Sequence, residues 1–122
     1  MALILHLDDE ACLLELVGEL LRNDGHEVMS VTNSFEALHL LRSEPIDLFI
    51  QDLCRPDLDG KALYKMLKAD AKLEGIPVII ASGNQTIWPT VETKLKKSGD
   101  EFMHKPFQFD RFLEVVNRML AR

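Results

Sequence analysis

The segment Ile46-Asp47-Leu48-Phe49-Ile50-Gln51 is nearly apolar on both faces of any strand it could form. Strands of that kind belong to parallel sheets covered by helices on both sides. The rest of the chain has the alternation such a sheet requires. Ala2 to Leu7 reads as a strand. Glu10 to Asn23 repeats Leu13, Leu14, Leu16, Val17, Leu20 and Leu21 at helix spacing, and Asp24-Gly25 ends it. Glu27 to Val31 is a short strand, and a helix capped by Asn33 or Ser34 runs through Arg42 to a stop at Pro45.

After Ile46–Gln51, Asp59-Gly60 opens a helix carrying Leu63, Met66 and Leu67. Ile76 to Ala81 is again a buried strand, and Ser82-Gly83-Asn84 is a loop. A weaker helix extends to about Lys97, where Ser98-Gly99 breaks it. Glu101-Phe102-Met103 is a brief strand. Phe109 to Leu120 is an amphipathic helix with Phe112, Leu113, Val116 and Met119 or Leu120 facing inward. Five strands and five helices in alternation predict an α/β fold, with a single five-stranded parallel sheet and helices on both faces.

A chain of 122 residues suits one domain, expected over residues 1–122, with a sizeable core. The net charge of -6 argues against nucleic acid as a direct partner. No apolar stretch is long enough to span a bilayer and the N-terminus carries no basic-then-apolar signal, so the expected location is cytoplasmic, with no membrane partner. Cys12 and Cys54 have neither metal-ligand spacing nor a disulfide framework, and Cys12 is expected to pack as a small hydrophobe on its helix.

The chemistry collects where strands end. The first strand ends in Asp8-Asp9-Glu10 and the third in Asp52. Open parallel sheets bind ligands at the carboxyl ends of their strands, where the strand order reverses. Asp8, Asp9, Asp52, Ser82 and Lys105 all fall at that predicted edge. Two carboxylates ~4 Å apart repel by about 4 kcal/mol at an effective dielectric near 20, so a cluster of them shares protons or binds a cation. Oxygen donors without histidine suit Mg²⁺ rather than zinc or iron. The plainer reading of Asp8 and Asp9 is that they cap the following helix, which leaves Asp52, Ser82 and Lys105 unaccounted for.

This combination resembles the receiver domain of two-component response regulators. The residues that carry the resemblance are Asp8-Asp9-Glu10, Asp52 followed by Pro56 and Asp59-Gly60, Ser82, and Lys105-Pro106-Phe107, in order along the whole chain. The resemblance implies a flavodoxin-like doubly wound sheet of order 2-1-3-4-5 and a phosphorylation-activated signalling switch rather than an enzyme. Asp52 would accept a phosphoryl group from a sensor histidine kinase, a phosphotransfer protein or a small phosphodonor. Asp9, Asp52 and the backbone carbonyl of Cys54 would bind Mg²⁺, with Asp8 acting through a metal-bound water. Lys105 would pair with a phosphoryl oxygen and Ser82 would hydrogen-bond one. Ser82 and the aromatic Phe102 would form the switch, Cys54 and Asn84 would tune the lifetime of the phosphoryl group, and Pro106 would follow a cis peptide. A downstream protein target or an output domain would read the change.

The stretch from Ser82 to Gly99 is longer than is usual in that family and includes Trp88-Pro89, which predicts a longer loop and a late-starting fourth helix. Two rivals fit less well. A haloacid-dehalogenase-like aspartyl phosphatase needs a second aspartate two positions after the nucleophile, where this chain has Cys54. A flavodoxin-like cofactor binder needs a phosphate loop rich in Ser, Thr and Gly after the first strand, where Asp8-Asp9-Glu10 would repel a phosphate.

Overall fold

In the computed structural model, which describes residues 2–8, 10–52, 60–82, 99–104 and 108–121, five parallel strands stand in the order β2-β1-β3-β4-β5. They are β1 (Leu3–Leu7), β2 (Glu27–Val31), β3 (Leu48–Asp52), β4 (Val78–Ser82) and β5 (Glu101–His104). Four helices lie among the described residues, α1 (Ala11–Asn23), α2 (Ser34–Ser43), α3 (Gly60–Ala69) and α4 (Phe109–Leu120). The helix expected between Ser82 and Lys97, with Trp88 and Pro89, lies outside the described residues.

Alternation along the central strands divides the core in two. Ile4, Leu48, Ile50, Ile79 and Met103 pack against Val17 and Leu21 of α1 and Phe112, Val115, Val116 and Met119 of α4. Leu5, Leu7, Phe49, Val78, Ile80 and Phe102 pack on the opposite face with Ala37 and Leu41 of α2 and Leu63 and Leu67 of α3. Both faces of β1, β3 and β4 are thus covered, which is why their sequences are mostly apolar. Val115 joins the inner face of α4, while Leu113 and Leu120 are only partly buried at its margin.

Local chemistry fixes the helix ends. Asn33 caps α2, its Oδ1 accepting from Glu36 N at 2.8 Å. The end of α1 is a Schellman motif, with His26 N donating to Leu21 O at 3.1 Å and Gly25 N to Arg22 O at 3.0 Å. Gly25 has φ +92, and an added Cβ would meet nothing within 4 Å. The cost of a side chain there comes from the backbone alone. Gly25→Ala is therefore expected to lower stability by about 1 kcal/mol, read as a lower urea midpoint at unchanged slope.

Cys12 is exposed rather than packed. The buried stripe of α1 runs through Leu14, Val17, Gly18 and Leu21, and Cys12 lies off it. The strand boundaries also shift. Ile46 and Asp47 precede β3, because Asp47 instead closes the start of β1. Its side chain accepts from Leu3 N at 2.8 Å and its own N–H donates to Leu3 O at 2.8 Å. Ser82 is the last residue of β4 rather than part of a loop.

Candidate functional site

The strand register builds the site from below. β1 and β3 pair through Leu7 and Gln51, so Asp8 and Asp52 follow at adjacent backbone positions on neighbouring strands. Asp8 extends the β1 ladder toward β2, its N–H donating to Val31 O at 3.2 Å. Asp52 pairs with Ala81, and Ser82 with His104, which precedes Lys105 in the chain. The carboxyl ends of β1, β3, β4 and β5 therefore share one edge. β1 has β2 on one side and β3 on the other, so the order reverses there and opens a crevice at that edge.

Asp8 is 1% exposed. A buried carboxylate has to be paired, hydrogen-bonded or placed against a cation. Its Oδ1 accepts from Glu10 N at 3.0 Å, a local turn rather than a helix cap. Glu10 occupies the N-cap position of α1 and makes no side-chain cap bond. The Oδ2 atom of Asp8 lies 4.0 Å from Nε2 of His6, which is itself 4% exposed.

The structure brings together Asp8, Asp52 and Ser82 at the strand ends, with Phe102 one strand further along. Phe102 is 7% exposed, sits in the core beside its register partner Ile80 and lies two positions before the Ser82–His104 pair. Asp9, Cys54, Asn84, Lys105 and Pro106 lie outside the described residues. Among the described residues no group of three or more His, Cys, Asp and Glu side chains could hold a metal ion. The donor chemistry nevertheless fits Mg²⁺. A buried carboxylate stands at the strand end beside the one that finishes in Asp52, and oxygen donors suit a hard cation.

The pattern of apolar runs and terminal acids did not single out His6. Its signal was the two-residue spacing from Asp8, which in a strand places both on one face. A second polar cluster lies at the opposite end of the sheet. Asp100, 2% exposed, accepts from Val78 N at 2.8 Å and from Tyr64 Oη at 2.6 Å, and lies 2.9 Å from Lys68 Nζ.

A doubly wound parallel sheet with acidic residues at its switch point defines a flavodoxin-like α/β protein, and the comparisons with known proteins narrow that class. The response regulator receiver domain model matches residues 4–117. The chain belongs to that family, whose members carry phosphorylation-based signals in two-component systems. It is 29% identical to protein PilH of Pseudomonas aeruginosa over 121 residues, covering 99% of each chain. It is 29% identical to the polar-differentiation response regulator DivK of Brucella anthropi over 119 residues, 97% of this chain and 95% of that one. The non-phosphorylated HemR receiver domain of Leptospira biflexa superposes with a TM-score of 0.87 at 27% identity, covering 100% of this chain and 96% of that chain. No helix among the described residues is long and apolar enough to cross a membrane.

Proposed function

We propose that this chain is a Mg²⁺-dependent phosphoacceptor switch in which Asp52 receives the phosphoryl group. The observation that carries the reading is the register that sets Asp8 and Asp52 side by side where the strand order reverses, with Ser82 at the same edge on the next strand. A carboxylate oxygen of Asp52 attacks phosphorus, the bond from phosphorus to the donor breaks, and the donor leaves with that electron pair. The donor is a phosphohistidine of a kinase or phosphotransfer protein, or a small acyl phosphate. Asp52 then carries an acyl phosphate, and attack by water restores the carboxylate and releases phosphate.

Two anions approach each other in that step, so positioning and charge neutralisation contribute most of the catalysis. Asp9, Asp52 and the Cys54 carbonyl would hold Mg²⁺ directly, with Asp8 reaching it through water. The bound cation supplies charge compensation for the incoming phosphoryl oxygens. Lys105 pairs with one phosphoryl oxygen and Ser82 donates to another. Movement of Ser82 toward the phosphoryl group opens space near Phe102, whose repacking alters the surface offered to a target or output domain. Cys54 and Asn84 flank the acyl phosphate and set its lifetime.

Incubation with Mg²⁺ and acetyl phosphate is expected to add one phosphoryl group, read by intact mass. Chelation of Mg²⁺ is expected to slow the addition by at least a factor on the order of 100. Equal labelling with and without chelator would refute the metal requirement, and no labelling under any condition would refute the acceptor role.

A further inference from the structure

We propose that His6 is a positioning residue of the phosphoryl-transfer site, holding the Asp8 carboxylate in one orientation before the cation binds. The proposal rests on the receiver reading, in which Asp8 acts on Mg²⁺ through water. β1 places His6 in a row between apolar and acidic chemistry. Ile4, one step below on the same face, belongs to the core with α1 and α4, whereas Asp8, one step above, is the buried acid. In register His6 is flanked by Ser30 of β2 and Ile50 of β3. The imidazole is 4% exposed, and its Nε2 lies 4.0 Å from Asp8 Oδ2.

The other oxygen of the same carboxylate, Oδ1, accepts from Glu10 N at 3.0 Å. One oxygen is thus tied to the loop that follows β1 and the other faces the ring beneath it, which restricts rotation of the carboxylate plane. A carboxylate neighbour favours the tautomer with the proton on Nε2. At 4.0 Å the contact is longer than a hydrogen bond. In a water-poor setting an N–H dipole at this range acts on a carboxylate more strongly than it would in water. A carboxylate already turned to its working orientation loses less freedom when it engages a metal-bound water, and outer-shell partners of this kind commonly govern metal affinity.

His6→Leu keeps the volume and apolar body of the side chain but removes the N–H. His6→Gln keeps an amide donor. Calorimetric titration with Mg²⁺ alone, on the full chain, reads the effect, with thermal melts in the absence of Mg²⁺ to follow packing. His6→Leu is expected to weaken Mg²⁺ binding about tenfold, the lower end of outer-shell effects, and His6→Gln to recover to within about threefold of wild type. The half-saturating Mg²⁺ concentration for acetyl phosphate labelling should rise in parallel, while the rate at saturating Mg²⁺ stays at the wild-type value. Unchanged Mg²⁺ affinity in His6→Leu, even with a lowered melting temperature, overturns the positioning role and leaves the receiver reading intact. Equal weakening in both variants also overturns it, because packing rather than a donor would then be responsible. A wild-type protein that binds no Mg²⁺ overturns both.

Discussion

Asp52→Asn is expected to abolish phosphoryl incorporation from acetyl phosphate or a phosphohistidine donor. An amide has no anionic oxygen to attack phosphorus, and loss of a nucleophile in a preorganised site costs at least on the order of 10⁴ in rate. The fold should survive. Asp52 ends β3, and its backbone pairing with Ala81 does not depend on the side chain. Without Mg²⁺ the variant should melt at the wild-type temperature or above it. Asp8, the acid that follows β1, occupies the neighbouring backbone position, and removing one of two like charges relieves repulsion. Intact mass and a thermal melt on the same sample test both halves. A labelled Asp52→Asn protein would place the acceptor elsewhere, and a strongly destabilised one would mean that Asp52 has a structural role as well.

The strands were legible because burial on both faces leaves no polar alternation, and the acids were legible because they interrupt apolar runs. The boundaries were less so. An apolar run does not report where its partner strand begins, so β3 starts at Leu48 rather than Ile46, after Asp47 has turned back to bind Leu3. Free cysteine is usually buried, but the stripe on α1 that packs on the sheet passes Cys12 by and leaves it exposed. Among the site residues, Asp8, Asp52 and Ser82 stand at strand ends as their sequence context implied. His6 was missed because it interrupts an apolar strand without ending it. Its meaning depends on the carboxylate two residues on, which the pattern of apolar runs does not weigh. Asp100 was missed for the reverse reason, since its partners Tyr64, Lys68 and Val78 are distant in sequence and converge only when α3, β4 and β5 are assembled.

That convergence makes Asp100→Ala the substitution with the largest expected effect on stability. Asp100 follows Gly99, which has φ +81, and directly precedes β5. From there its Oδ1 accepts the N–H of Val78 at the start of β4, while its Oδ2 receives the Tyr64 hydroxyl and the Lys68 ammonium from α3. One side chain thus fastens three elements. Lys68 is 19% exposed and also donates to Glu74 O at 3.2 Å and Ile76 O at 3.3 Å, so it keeps partners when the carboxylate is gone. The Val78 N–H is buried and loses its side-chain acceptor. One charged hydrogen bond and one stranded buried donor together predict a loss of about 3 kcal/mol, a large share of the ~5–15 kcal/mol that holds a domain folded. Asp100→Asn retains an acceptor for Val78 and should lose about half as much, the remainder being the lost charge opposite Lys68. Urea denaturation of the two variants measures the difference. A loss below about 1 kcal/mol in Asp100→Ala would show that the clamp contributes little beyond an ordinary surface ion pair. The clamp lies at the opposite end of the strands from Asp52, so both variants should take up a phosphoryl group at the wild-type rate wherever they remain folded. Asp100 thus holds α3, β4 and β5 together at one end of the sheet, while the proposed acceptor Asp52, with Asp8 and Ser82, stands at the other.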